Sequence, residues 1–290
     1  MLYQIIINAL ITGSLYALVA LGFSFTFAPT KFFNLSYGAV VLVAGYAVYT
    51  FCVMCGVPLW LGVLSAVLLT GFVGWGLDRA VFYPLRKRNA SGMVFLVASL
   101  GVFTCIQSLL ALGYGSHFRS FSTQTETQSF RILGGIVTPL QLYIFITVII
   151  ATILIHVFLK IIKYGKAVKA IANQVETAKV VGIPTDKIFG ITFFIGSALA
   201  GVAGVLLAME VGIEPSLGMG FLFKGAIASI IGGMGSLVGA VLGGFLLGLV
   251  ENLGAWRFEG EWKDAIAFAL LIIFLLIKPS GIFGKNSRHF

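Results

Sequence analysis

The chain has 290 residues, of which 59% are hydrophobic and only 10% charged, and its mean hydropathy is +1.05. That balance excludes an ordinary soluble domain. The net charge of +9 does not point to nucleic acid, because basic residues in so apolar a chain ordinarily mark topology.

Charge-free runs near twenty residues recur along the chain, and each is long enough to cross a bilayer as a helix. A lipid environment allows only helices or closed barrels, and barrels need short alternating segments. In chain order the runs fall at about 4–27, 37–57, 59–77, 92–113, 140–160, 188–209, 236–251 and 262–278. The first lacks a positive leader and exceeds a signal peptide's apolar core, so it reads as a span. Between the sixth and seventh runs, FLFKGAIASIIG (221–232) is apolar but only about half a span long, and GGMGS after it signals a turn. It reads as a re-entrant half-helix. The expected fold is therefore all-α and polytopic, with about eight transmembrane helices and one re-entrant half-helix in a single membrane domain over 1–290.

Charge orients this arrangement. With the loop at 78–91 placed in the cytoplasm, alternation puts 28–36, 160–187 and the tail from Lys278 on the same side. Those segments hold Lys31, Arg79, Arg86, Lys87, Arg88, Lys160, Lys163, Lys166, Lys169, Lys179, Lys187, Lys278, Lys285 and Arg288, fourteen of the 19 basic residues. Arg119, Arg131, Arg257 and Lys263 fall opposite, and Lys224 lies in the half-helix. The split predicts a short N-terminus outside, a cytoplasmic C-terminus and an outer loop at about 114–139. A single crossing by 221–251 would reverse the basic tail, so the split favours re-entry.

Polar residues among the apolar runs are the candidate sites. In NLSYG, Asn34 suits the N-cap of a helix starting at Leu35, while Asn34, Ser36 and Tyr37 are also candidates to line a polar path. Gly235 and Ser236 in the GGMGS turn, and Glu251, join that path list. Glu210 and Glu251 lie near predicted outer ends, where exposure to water is the expectation. Gly239 and Gly243 form one row of small residues, and Gly244 and Gly248 the adjacent row, suited to close helix crossings. GSALAGVAG (196–204) is a second small-residue set. Cys52 and Cys55 form a CxxC with no second pair and no nearby His, so packing is expected and no metal site.

The segment 163–187, KYGKAVKAIANQVETAKVVGIPTDK, is basic and of helical composition. Two short helices fit it, about 166–173 and 175–181, ended by Gly182 and Pro184. Val168, Ile171 and Ala172 share a face of the first, and Ala178, Val181 and Ile183 give the second an apolar side. Such a pair can lie in the membrane interface or dock into another protein's groove.

Within it, ETAKVVG (176–182) resembles the E-A-A-x-x-x-G pattern of the coupling segment of ABC importer permeases, with Thr177 in place of the first Ala. GSLYALVALGFSFTF (13–27), NLSYG, GSALAGVAGVLLA (196–208), IGGMGSLVGAVLGGFLLGLVE (231–251) and DAIAFALLIIFLLIKPSGIFGK (264–285) accompany it in order. Together they resemble the shorter, LivH-like permease subunits of the branched-chain amino acid ABC importers over nearly the whole chain. The resemblance implies a transport subunit of the bacterial inner membrane that is not itself an enzyme. Its expected partners are a second permease subunit in a heterodimer, two ABC ATPases and a periplasmic binding protein. Glu176, Thr177, Ala178, Val181, Gly182 and Ile183 become the expected ATPase contact, with Glu176 capping or anchoring the second helix. No G-x-x-x-x-G-K-[ST] occurs, so no cofactor is expected on this chain and ATP is expected on the partners. Two alternatives share parts of this pattern. The same architecture could serve urea or short amides, and an ion-coupled secondary transporter would also have broken helices, although the only internal echo is TGSLYAL against IGSALAG.

Overall fold

The computed structural model describes residues 2–121, 130–132, 135–258 and 260–284. Helices dominate. They are α1 (Leu2–Thr30), α2 (Ser36–Tyr49), α3 (Leu59–Leu77), α4 (Tyr83–Lys87), α5 (Gly92–Tyr114), α6 (Pro139–Ile161), α7 (Lys163–Asn173), α8 (Val175–Val180), α9 (Thr185–Glu210), α10 (Leu217–Gly232), α11 (Leu237–Phe258) and α12 (Lys263–Ile277). π-helical turns extend α2 over Thr50–Met54 and join α3 to α4 over Asp78–Phe82.

Among the described residues seven helices are long and apolar enough to cross a membrane: Tyr3–Thr30, Ser36–Met54, Leu59–Lys87, Gly92–Tyr114, Pro139–Ile161, Thr185–Glu210 and Leu237–Phe258. The eighth predicted span, 262–278, is instead the 15-residue α12. At 1.5 Å per residue it is about 22 Å long, short of the ~30 Å hydrocarbon core. The predicted half-helix begins four residues earlier than expected, and α10 has 16 residues. A short antiparallel hairpin, β1 (Phe130–Ile132) and β2 (Gly135–Val137), was not foreseen. Part of the predicted outer loop, 122–129 and 133–134, and the tail residues Lys285 and Arg288 lie outside the described residues.

The chain divides into two compact units. The first comprises 1–24, 122–153 and 223–290. Here α11 uses its two glycine rows on two different neighbours. A Cβ on Gly239 or Gly243 would strike the carbonyls of Gly232 or Ala228 in α10. One on Gly244 or Gly248 would strike the backbone of Ala17 or Gly13 in α1. Lipid offers no hydrophobic drive between helices, so this close backbone contact is the attraction available. The segment after α12 closes the same unit: the N–H groups of Ile282 and Phe283 donate to the carbonyls of Ile231 and Gly232 at 2.9 and 3.0 Å. These are otherwise orphan acceptors at the end of α10.

The second unit comprises 25–121 and 154–222. Its centre is α9 packed on α2 and α3 by the same device. Gly204 meets the carbonyl of Val41, Gly201 meets Thr70, and Gly74 meets Ser197. A cluster of Phe32, Phe82, Phe95 and Phe193 fills one end, with the Phe32 and Phe95 ring centroids 4.8 Å apart.

Candidate functional site

Segment 163–187 folds as the helix pair read from the sequence. Val168 and Ile171 are buried on one side of α7, whose lysines stay exposed, and Ala172 is half-buried beside them. Gln174, extended at φ −157°, breaks the chain between α7 and α8. The exit of α8 is a Schellman turn. The Gly182 N–H donates to Lys179 O at 2.9 Å and the Ile183 N–H to Ala178 O at 3.0 Å, with Gly182 at φ +83°. A glycine accepts that conformation without steric cost.

Two expectations for this segment change. Glu176 does not cap α8. No side chain caps its start, and the Glu176 carboxylate instead meets Lys179 Nζ at 3.1 Å, one turn on and exposed. Val181 does not share the buried side with Ala178. The helix ends at Val180, and the turn carries Val181 outward, leaving Val180 87% and Val181 74% exposed. Ala178 is buried, Ile183 half-buried and Thr177 exposed. The result is a small projecting helix with an inward Ala and two outward valines.

A cleft of about 640 Å³ opens beside this helix. Its walls come from the end of α1 (Pro29 to Phe32), α4 and the turn after it (Arg86, Lys87, Asn89), the start of α9 (Thr185, Asp186) and Glu176 and Lys179 of α8. Near its base Arg86 Nη2 lies 2.7 Å from the fully buried Asp78 carboxylate, and its guanidinium sits 4.5 Å from the centre of the Phe189 ring.

NLSYG is buried. Asn34 Oδ1 accepts the Ser36 N–H at 3.1 Å and the Ser36 hydroxyl at 2.6 Å, so the amide serves the start of α2, one residue later than expected. The Leu35 N–H donates to Ser99 Oγ at 3.1 Å. Ser99 is the eighth residue of α5, so α2 starts about 10 Å along that helix, not level with its end. This is the geometry of a helix that begins inside the bundle. Tyr37 is buried in this chain, and Gly38 packs directly against Gly218 of α10.

The other path candidates sit in the first unit. Gly235, at φ +86°, donates its N–H to Ser24 Oγ at 3.1 Å, and Ser236 Oγ accepts the Gly239 N–H at 3.2 Å as a cap for α11. Glu251 reverses the expectation of exposure to water: it is fully buried. Tyr16 donates to one of its oxygens at 2.7 Å and Lys224 Nζ lies 2.9 Å from the other. Lys224 also reaches Asp264 at 3.0 Å, at the exposed start of α12. The reason is that α11 runs seven residues past its predicted end, so Glu251 lies well inside it. Sequence reasoning left Lys224 without a role and missed Tyr16 and Asp264. A lysine inside an apolar half-helix demands a counter-charge, and that was the available signal. Glu210, at the end of α9, is half-buried. Among the described residues no group of three or more His, Cys, Asp or Glu is placed to hold a metal.

Comparison with known proteins places this geometry. The chain is 32% identical to the high-affinity branched-chain amino acid transport system permease protein LivH of Salmonella typhimurium, across 97% of this chain and 95% of that protein. It is 32% identical to the corresponding BraD of Pseudomonas aeruginosa over the same shares. It is 28% identical to a probable LivH of Methanocaldococcus jannaschii, covering 98% and 93%. A solved structure, PsaBC from Streptococcus pneumoniae in complex with Fab, shares the fold with a TM-score of 0.53 at 15% identity, covering 95% of this chain and 92% of that one. The family model for the permease component of branched-chain amino acid transport systems matches residues 5–275, and the chain belongs to that family.

Proposed function

We propose that this chain is one of two different permease subunits of an ATP-driven importer for branched-chain amino acids. Family membership makes it a multi-pass transport subunit of the inner membrane. The finer assignments are that the N-terminus lies outside, that 163–187 faces the cytoplasm and couples to the ATPases, and that ATP binds on those partners. Substrate arrives from a periplasmic binding protein, the partner expected of a permease subunit in this family.

The observation that carries the reading is the projecting α7–α8 pair with Val180 and Val181 exposed beyond a buried Ala178. On a basic segment placed in the cytoplasm, two adjacent valines this exposed suit a contact with a partner's apolar groove. An ATPase groove that binds this knob differently in its two states shifts the permease between conformations, and only such differential binding moves the equilibrium. Asn34, Ser36, Tyr37, Gly235, Ser236 and Glu251 remain the path candidates, with helix support as the first duty of Asn34 and Ser236.

The test measures ATP hydrolysis and uptake side by side in reconstituted vesicles. Gly182→Val forces a β-branched residue to positive φ and distorts the exit turn. Glu176→Lys replaces the pair with Lys179 by a repulsion. Each is expected to leave the permease inserted while weakening ATPase association or separating hydrolysis from uptake. Normal transport by both variants overturns the coupling role. Competition of uptake by leucine, isoleucine, valine and urea fixes the substrate, and inhibition by urea alone would select the amide reading.

A further inference from the structure

Val175, Glu176 and Lys179 of α8 border the cleft of about 640 Å³, a volume typical of small-molecule sites. Its charges do not cancel internally. Arg86 is committed to Asp78 at 2.7 Å and Lys179 to Glu176 at 3.1 Å. Lys31, Lys87 and Asp186 also line the cleft, and none of them has an ion-pair partner among the described residues. Phe32, Phe95 and Phe189 supply an aromatic wall beside them. Two ammonium groups, one carboxylate and aromatic rings complement a molecule that carries a carboxylate, an ammonium and an apolar body.

The backbone points to the same place. Lys31 (φ 57°) and Asn89 (φ 49°) are the non-glycine residues at positive φ among the described residues, and both line this cleft. Asn tolerates the left-handed conformation at a helix exit, but Lys does so at a cost that glycine would avoid. A lysine there keeps a cation at the cleft wall in spite of that cost.

We propose that this cleft is a control site for a small zwitterion with an apolar side chain, the chemistry of the transported class itself. The proposal rests on the transport reading above. The carboxylate is met by Lys31 and Lys87, the ammonium by Asp186, and the side chain by the Phe32–Phe95 wall. An occupant touches α8 through Glu176 and Lys179, while the ATPase touches the same short helix through Val180 and Val181 at its end. Ligand and ATPase therefore share one element, α8. Whatever factor the ligand imposes on ATPase docking, docking imposes on the ligand.

The experiment uses the assembled importer in nanodiscs without its binding protein, and reads equilibrium binding of tritiated L-leucine and the rate of ATP hydrolysis. Saturable binding is expected, with hydrolysis changed at least twofold. Asp186→Asn and Lys87→Ala, both at exposed positions, are each expected to weaken binding at least tenfold. Isovalerate and isoamylamine, each lacking one charge, should compete at least tenfold less well than leucine. If Asp186→Asn does not assemble, Lys87→Ala and the two analogues carry the test. Absent binding, binding unchanged in every variant that assembles, or hydrolysis indifferent to bound leucine overturns the proposal. Leucine uptake into vesicles with the binding protein present is scored separately. Uptake without these effects sinks the control site alone, and absence of any branched-chain amino acid uptake sinks the reading beneath it.

Discussion

In one unit Glu251 is buried between Lys224 and Tyr16, and in the other Asp78 is buried against Arg86. The acids are equally hidden, but their partners differ in origin. Asp78 and Arg86 belong to one continuous helical run, Leu59–Lys87, joined by a π-helical turn. Helical side chains lean toward the N-terminus, so Arg86 reaches back along its own helix. Glu251, Tyr16 and Lys224 come from α11, α1 and α10, and Asp264 adds α12. The local pair neutralises a charge that its own helix carries into the bundle. The cross-helix cluster also fixes how four helices meet.

The comparison breaks or holds on single substitutions. Lys224→Met leaves Glu251 buried without its cation, and about 3–5 kcal/mol of stability should be lost. Replacing both partners, Lys224→Met with Glu251→Leu, should recover most of that loss, because a matched apolar pair strands no charge. Arg86→Met should cost less, about 1–3 kcal/mol, because Arg86 borders the open cleft and water can take its place. Unfolding of the purified complex in mixed micelles measures all three. Equal losses for Lys224→Met and Arg86→Met would remove the distinction between a cross-helix lock and a local neutralisation.

Glycine crossings sharpen the comparison next. Gly243 in one unit and Gly204 in the other each lie against a backbone carbonyl, of Ala228 and Val41. A carbonyl cannot rotate aside as a side chain can, so Gly243→Leu and Gly204→Leu should each cost about 1–3 kcal/mol or more by overpacking. Gly76→Leu is the control, since nothing lies within 4 Å of a Cβ at that position, and its effect should stay within about 0.5 kcal/mol. Loss of assembly with Gly76→Leu would mean that any added bulk, and not the crossing, is what the fold rejects.

What the sequence made legible follows from where each signal resides. Apolar runs, the two glycine rows of α11 and the α7–α8 break are local patterns, and they survive into the structure because lipid forces the backbone to satisfy itself within helices. The rows announced close packing but not that one faces α10 and the other α1, since spacing names a face and no neighbour. Glu251 was misread because helix ends are the least certain feature of a sequence. Seven further residues of α11 turned an expected surface acid into a buried one. The cleft was not legible at all. Lys31, Lys87, Asp186 and Glu176 are scattered over more than 150 positions, and only the fold brings them to one wall.

The smallest effect expected is at the caps, and it separates two meanings of NLSYG. Asn34 Oδ1 serves the first N–H of α2 in one unit, as Ser236 Oγ serves Gly239 at the start of α11 in the other. If both are caps and nothing more, Asn34→Ala and Ser236→Ala should each cost about 1 kcal/mol. Asn34→Asp should restore stability, because a carboxylate also accepts the Ser36 N–H and hydroxyl and suits the positive end of the helix. Uptake per assembled complex separates the readings. A cap that only holds α2 in place lets Asn34→Asp transport normally. A path-lining amide does not, because a fixed negative charge at a helix start inside the bundle repels the carboxylate of an amino acid passing it. Stability restored with uptake lost would therefore place Asn34 on the path. Stability and uptake restored together would leave it a cap, with the same duty as Ser236.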